Sequence, residues 1–573
     1  MVVCWQRIVF GLFLHYTLLL AQCPPLGSVL PAPTGLSQSS VFQELATQIN
    51  AQLQNTSSTL NQTAVSIGVR SLHDSGPLVN FHYTPSKFNT TGVHKVDGNT
   101  VYRIGSTSKL FTALSILQLE GKVNLSDSVT KYVPKLGDLS GANKSLTKVD
   151  WDSVTIEALL SHMGGVPADL SNSAIQYVPG LTQEIGLPQL PQSQQSLPCG
   201  DAPGEPGCTW DVFLNNIGRR PPVYRPFTTP VYSNVGYAVL GRVIENVSGK
   251  TNAEYLQQNI INKASMNRTT IGSPPASSLG FIPAESNWWG NSIGYEDPSG
   301  GIYASNNDLL SFGTAILSNT LLDSERTRTW MKPVTFTSSM GVAVGAPWEI
   351  ARGPNLTSWD GRIIDFYTKT GNLGDYTAIL VLVPDYDLVL AMNVAGPDGT
   401  IGVIQVIFSA LVQTLMPVVD QIGKSQASQK FSGTFAAAAA AAKQNSSLSS
   451  LALSVDDKFG GLLVSNFSAN GVDVAKGFSA LNGYDPAQEP TTIRLYPTNL
   501  KQGNESAWRA VYTIGTADAQ LFFPQGSCQT WTEIDLTTYG LEALDYFVLT
   551  ENESGKVVAV EPKAWRLVLE RAD

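Results

Sequence analysis

Ser106, Lys109, Tyr232, Asn234 and the run Lys369-Thr370-Gly371 are the residues whose types and spacing point to chemistry. Ser106-Thr107-Ser108-Lys109 sets a hydroxyl and an amine three residues apart, which on a helix is one turn apart on one face. Burial lowers an amine's pKa, and a neutral amine beside a serine can take its proton. A serine that also opens a helix sits among free N–H groups and the positive end of the dipole, which favours a developing oxyanion. Ser128–Lys131 and Ser145–Lys148 repeat the Ser-x-x-Lys spacing but are read as incidental, because Ser106 alone stands at the mouth of a buried helix. Tyr232-Ser233-Asn234 opens a second apolar helix; a phenol near ammonium groups relays protons, and the Asn amide can orient a substrate carbonyl. In Lys369-Thr370-Gly371 a cation and a hydroxyl suit a substrate carboxylate, and the missing Gly side chain leaves room for substrate along the next strand.

The elements that must hold these groups follow from periodicity. From Ser106 to Gly121 the apolar positions Leu110, Phe111, Ala113, Leu114, Ile116, Leu117 and Leu119 wrap nearly all round, the mark of a helix through the core. A helix is expected near Val41–Leu53, a strand at Ala64–Val69 and its hairpin partner at Leu78–Tyr83. Thr377–Val383 and Leu388–Val394 read as strands joined by a turn at Pro384–Asp387. Ile404–Val418 reads as a helix whose Gln405, Ser409 and Gln413 suit covering a sheet rather than crossing a membrane. Residues 168–208, rich in Pro, Gln, Ser and Gly, form a long loop of the kind used as a lid or binding loop. Strand-like text resumes at Leu451–Val455 and Gly461–Val464, while the Ala436–Ala442 run is low in complexity.

Composition bounds the function. The 573 residues exceed one ordinary domain, and 43% hydrophobic with 14% charged residues describes a large folded core. A net charge of -10 without any Lys/Arg-rich run argues against nucleic-acid binding. Arg7 followed by apolar Ile8–Leu20 and small Ala21 reads as a signal peptide, too short to span a bilayer. Asn-x-Ser/Thr sequons recur from Asn55 to Asn552, as in a glycosylated secretory product. Beyond the leader, Cys23, Cys199, Cys208 and Cys528 allow three pairings; Cys199–Cys208, closing a short Pro/Gly loop, with Cys23–Cys528 is favoured. No His accompanies them at zinc-ligand spacing, so neither metal nor cofactor is expected. His162 reads as a backbone-bonded turn residue, and Trp288-Trp289 either lines an aromatic pocket or packs on the domain surface.

The three motifs, in this order, resemble those of the serine β-lactamase and penicillin-binding family. The Tyr-x-Asn form of the middle motif is similar to the branch of class C β-lactamases, D-aminopeptidases and esterases. The likeness runs from about Gln43 to Val419 and includes Gly121–Pro134, Ile156–Pro167 and Pro298–Asp308. Pro226-Phe-Thr-Thr-Pro230 stands where the family carries Pro-Gly. The resemblance implies that Ser106 is acylated, that Lys109 is its general base, and that Tyr232 protonates the leaving group and activates the incoming nucleophile. It implies that Asn234 and Lys369 hold substrate and that the N–H groups of Ser106 and Asn372 form the oxyanion hole. The C-terminal part resembles the all-β appendage of fungal β-lactamase-like proteins.

The expected architecture is an α/β (α+β) sandwich of the β-lactamase/transpeptidase type, an antiparallel sheet flanked by helices, followed by an all-β domain. Expected boundaries are a signal peptide at 1–21, a Pro/Ser-rich lead-in at 22–40, a catalytic domain at 41–420, a linker at 421–430 and the β-rich domain at 431–573. The expected function is a secreted serine hydrolase acting on a small ester or amide, or transferring the acyl group in secondary metabolism. The competing reading is an inactive relative that binds a ligand or protein. Such scaffolds host many chemistries, so β-lactam hydrolysis is not itself the expectation.

Overall fold

The computed structural model describes residues 24–141, 146–170, 181–200, 203–357, 362–397, 401–437, 449–515 and 530–572. The chain divides into two compact units. One comprises residues 35–352 and 365–412; the other combines the lead-in before Gly35, residues 353–364 and everything from Gln413 onward.

The first unit is built on an eight-stranded sheet. Its order is Val79–Tyr83, Ala64–Ser71, Leu388–Ala395, Tyr376–Val383, Ile363–Leu373, Glu349–Pro354, Val342–Val344 and Thr335–Phe336. The central strands Tyr376–Val383 and Leu388–Ala395 are buried at every position, which is why their sequences are continuous apolar runs rather than alternations. Helix Asn306–Leu317 packs on one face, anchored where Asn306 Nδ2 donates to Asn393 Oδ1 (3.0 Å) and to the Ala391 carbonyl (3.0 Å). Behind it lies helix Lys109–Gln118, with Phe111 stacked on Phe312 at 4.0 Å. Against that helix packs Asn234–Ser248, so the two motif-bearing helices share one core.

Two expectations need correction. The helix expected from Ser106 starts as a tighter turn, Gly105–Ser108, and becomes α-helical only at Lys109. Ser108 explains this, because its hydroxyl donates to the Gly105 carbonyl (2.7 Å) and accepts from the Ile302 N–H (3.1 Å), tying the turn down. The linker expected at 421–430 is helical as well, since one helix runs Ile401–Phe431. Polar residues there masked a surviving helical period: Val419, Asp420, Lys424, Ala427 and Phe431 are buried, and Lys424 pairs with Asp420 at 3.2 Å one turn away. At the other end of the helix Phe408 meets Phe366 edge-on at 5.9 Å, as a helix covering a sheet does.

Cys199 and Cys208 form the expected disulfide, whereas Cys23 and Cys528 lie outside the described residues, as do the leader and most of the alanine run. Trp289 is buried against Tyr303 and Tyr376 and so packs on the domain.

Beyond helix Ile401–Phe431 the described part of the second unit is mainly β, with short helices at Val474–Leu481 and Thr530–Glu533. Its strands Gly433–Ala437, Ser450–Ser454, Leu462–Ala469, Thr491–Gln502, Glu505–Ile514, Tyr546–Glu551, Val557–Pro562 and Leu569–Arg571 pair antiparallel in that sequence. The last then pairs with the first, closing a barrel. Phe435, Leu453, Leu462, Trp508, Phe547, Leu549 and Leu569 are among the residues of its packed core.

Candidate active site

The Ser106 turn is held by the strand that carries the third motif. Thr107 Oγ1 donates to the Lys369 carbonyl at 3.2 Å. Gly105 takes φ +48°, and a Cβ on it would sit 2.8 Å from the backbone of Asn372. A Cβ on Gly371 would sit 2.0 Å from the Ile104 carbonyl oxygen and 2.7 Å from the amide nitrogens of Ser106 and Thr107. The space expected to admit substrate beside Gly371 is therefore taken by the serine turn itself. Paired glycines bring Ser106 and Asn372 backbone to close approach, which sequence reasoning had assigned to substrate.

Lys109 is fully buried, one turn beyond Ser106 as its spacing required. Its Nζ lies 2.6 Å from Asn234 Oδ1, 2.8 Å from the Ser299 carbonyl oxygen and 3.1 Å from Ser106 Oγ. The first two partners only accept. Asn234 is fixed in that sense because its Nδ2 donates to Asp169 Oδ2 at 2.7 Å. A neutral amine has two N–H donors and one lone pair; in that form Asn234 and Ser299 engage both donors, and the lone pair faces the hydroxyls of Ser106 and Tyr232. Burial pushes the Lys109 ammonium below its ordinary range, and nearby Lys369 pushes the same way against the opposing Tyr232 and Asp169. Asn234, expected to meet substrate through its amide, has its oxygen committed to Lys109 and one N–H to Asp169.

Tyr232 stands between the two lysines, with Lys109 Nζ 4.8 Å and Lys369 Nζ 5.0 Å from its ring centroid. Tyr232 is 41% exposed, and its hydroxyl engages Lys109 and Ser106. Burial alone would raise the phenol; Lys109 and Lys369, with hydrogen bonds to Lys109 and Ser106, outweigh it and hold it below its ordinary value. The segment around Tyr232 is zipped to residues 162–168. Val231 N–H donates to the His162 carbonyl (2.8 Å), Ser233 N–H to His162 Nδ1 (3.1 Å) and Asn234 N–H to the Ala168 carbonyl (2.8 Å). Phe227 occupies a left-handed conformation at φ 61°, in the stretch that replaces the family's Pro-Gly. His162 is the backbone-bonded turn residue its context suggested, and its ring also backs Tyr232 at 4.6 Å.

Lys369 and Thr370 hold a carboxylate that belongs to the chain. Lys369 Nζ lies 2.5 Å from Glu349 Oε1, while Thr370 donates its N–H (2.9 Å) and hydroxyl (2.8 Å) to Glu349 Oε2. Burial opposes the charge on Lys369, but Glu349 and Tyr232 overcome it and raise the ammonium above its ordinary value. The expected substrate-carboxylate site is thus filled by Glu349, and Asn372 Nδ2 is turned toward Thr377 Oγ1 at 3.0 Å. Sequence reasoning missed Glu349 and Asp169 because neither lies in a motif.

A pH prediction follows from these charges. Lys369→Met removes a cation that holds down both Lys109 and Tyr232, and it frees Glu349, whose negative charge raises both further. The neutral form of Lys109 that accepts the serine proton is then lost at higher pH, so the acidic limb of a kcat/KM profile should move to higher pH. A limb that stays put or moves lower contradicts this electrostatic account.

A helix-flanked antiparallel sheet, with a serine-lysine turn pressed against a sheet strand, defines the β-lactamase type of fold. Comparison with known proteins agrees: the family model described as Beta-lactamase matches residues 74–403, and that of the Beta-lactamase-like-like C-terminal domain matches 423–573. The chain belongs to the beta-lactamase family. It is 29% identical over 577 residues to a "Beta-lactamase-like protein" of Arthroderma benhamiae, covering 94% of each chain. It is 25% identical over 564 residues to "Probable hydrolase M10" of a Phoma species, covering 94% of this chain and 89% of that one. Among solved structures, a D-stereospecific amidohydrolase from a Streptomyces species aligns with TM-score 0.47 at 19% identity, over 64% of this chain and 98% of its own.

Proposed function

We propose that this chain is a secreted serine hydrolase that works through an acyl-enzyme on Ser106, with a small uncharged ester or amide as acyl donor. The observation that carries the proposal is the fully buried Lys109 Nζ, 3.1 Å from Ser106 Oγ. Ser106 Oγ attacks the substrate carbonyl carbon and its proton passes to Lys109 Nζ. The oxyanion forms beside the backbone N–H groups of Ser106 and Asn372, which the paired glycines bring together. Collapse breaks the bond to the leaving group, which takes a proton from Tyr232. Tyr232, held below its ordinary pKa by two lysines, then takes a proton from water, or from an alcohol or amine, as that nucleophile attacks the acyl carbon; the bond from that carbon to Ser106 Oγ breaks and Oγ takes its proton back from Lys109. Water gives hydrolysis; an alcohol or amine gives acyl transfer of the kind used in secondary metabolism. The apolar leader, the sequons and the Cys199–Cys208 disulfide support a secretory location.

Treating the protein with a fluorophosphonate and mapping the adduct by peptide mass spectrometry tests this reading. One adduct per chain, on the peptide bearing Ser106, is expected. No adduct, or one on a serine elsewhere, overturns it.

A further inference from the structure

The third motif supplies the donors a carboxylate needs: a buried ammonium, a hydroxyl and a backbone N–H. In this chain all three converge on the two oxygens of Glu349, at 2.5, 2.8 and 2.9 Å. Glu349 opens the strand Glu349–Pro354, beside the motif's own strand in the sheet, and its side chain keeps 35% of its surface accessible. The ammonium it engages lies 5.0 Å from the centroid of the Tyr232 ring, the same ring that meets Lys109 from 4.8 Å. The anion subsite thus shares Tyr232 with the Ser106–Lys109 pair, and it is filled from within.

A substrate carboxylate entering there would find its donors taken and would face a like charge at contact distance. Rejection of one partner class by an unpaired or like charge is a specificity device independent of the catalytic step. A neutral ester or amide places no such demand and can lie along the cleft with the Glu349–Lys369 pair intact. We infer that Glu349 is a specificity-determining residue that closes this site to acyl donors carrying a carboxylate at the Lys369 end and reserves it for donors neutral there. Free-carboxylate peptides and β-lactams fall in the excluded class, uncharged esters and amides in the accepted one. The inference rests on the acyl-enzyme reading of Ser106.

The test uses two matched pairs of esters. Phenyl phenylacetate and 3-carboxyphenyl phenylacetate differ only by a carboxylate on the leaving group; phenyl butyrate and phenyl hydrogen glutarate differ by one on the acyl chain. kcat/KM is measured for the full chain, for Glu349→Gln and for Glu349→Ala. In the wild type the neutral member of at least one pair should be favoured by about tenfold or more, and both substitutions should narrow that ratio by a similar factor. Equal turnover within both pairs by the wild type overturns the inference. So does a ratio unchanged in variants that still react with fluorophosphonate at Ser106. Either result leaves the acyl-enzyme reading standing. A wild type that fails to react with fluorophosphonate sinks that reading and this inference together. Should neither variant fold, the wild-type ratios alone decide, since absence of discrimination there is sufficient to refute.

Discussion

Ser106→Ala is expected to lower kcat/KM toward an activated ester by about 10⁴-fold or more, a loss of roughly 5.5 kcal/mol of transition-state stabilisation. The size follows from what one oxygen does. It forms and breaks the covalent bond, and neither Ser108, committed to Gly105 and Ile302, nor Thr107, committed to Lys369, is placed to substitute. Alanine keeps the backbone N–H that faces the developing oxyanion, so a small residual rate above water is expected rather than none. The fold should survive, because the Lys109 amine retains Asn234 and Ser299 after the hydroxyl is gone. A thermal midpoint close to that of the wild type, measured beside the rate, separates lost chemistry from lost structure. Retention of a hundredth of the activity would remove Ser106 from the role of nucleophile.

Lys109→Met should cost about 10³-fold in kcat/KM, within the span that a positioned general base supplies. Methionine is unbranched and of similar length, so the buried site is filled without a cavity. What vanishes is the lone pair facing Ser106, together with two donors. The Asn234 and Ser299 oxygens are then left buried without their partner, at about 1–3 kcal/mol each. Against that stands the relief of a burial cost. The native lysine titrates below its ordinary 10.5, so between the two values the unfolded chain binds the extra proton and native stability climbs with pH. The methionine variant should show a flatter dependence of stability on pH over that window, alongside its lost rate. A variant within tenfold of the wild-type rate would show that another group takes the serine proton.

Much of this arrangement was written in local sequence. Continuous apolar runs marked the central strands, and the all-round apolar helix after Ser106 announced a turn at Ser106 pressed into the core. Spacing alone put Lys109 above Ser106, because one helical turn is a local property. The partners supplied by other strands and loops were not legible. Glu349 reaches Lys369 and Thr370 across neighbouring strands, and Asp169 reaches Asn234 from a loop, pairings that no periodicity encodes. Gly371 was misassigned for the same reason. Its missing side chain is visible in the sequence, yet whether substrate or the Ser106 backbone fills the gap depends on a contact between distant segments. The continuation of the helix to Phe431 was hidden by charged residues that turn out to pair with each other inside the fold.

The closed ring of strands has a bearing on how much of the chain can be dispensed with. Leu569–Arg571 is the stave that joins Val557–Pro562 to Gly433–Ala437. A truncation ahead of Leu569 would unzip the cylinder into a sheet with two raw borders, each offering unpaired N–H and C=O groups to any neighbouring molecule. Loss of those few residues should thus show up less as weakened folding than as clumping, with soluble yield falling more steeply as protein concentration rises.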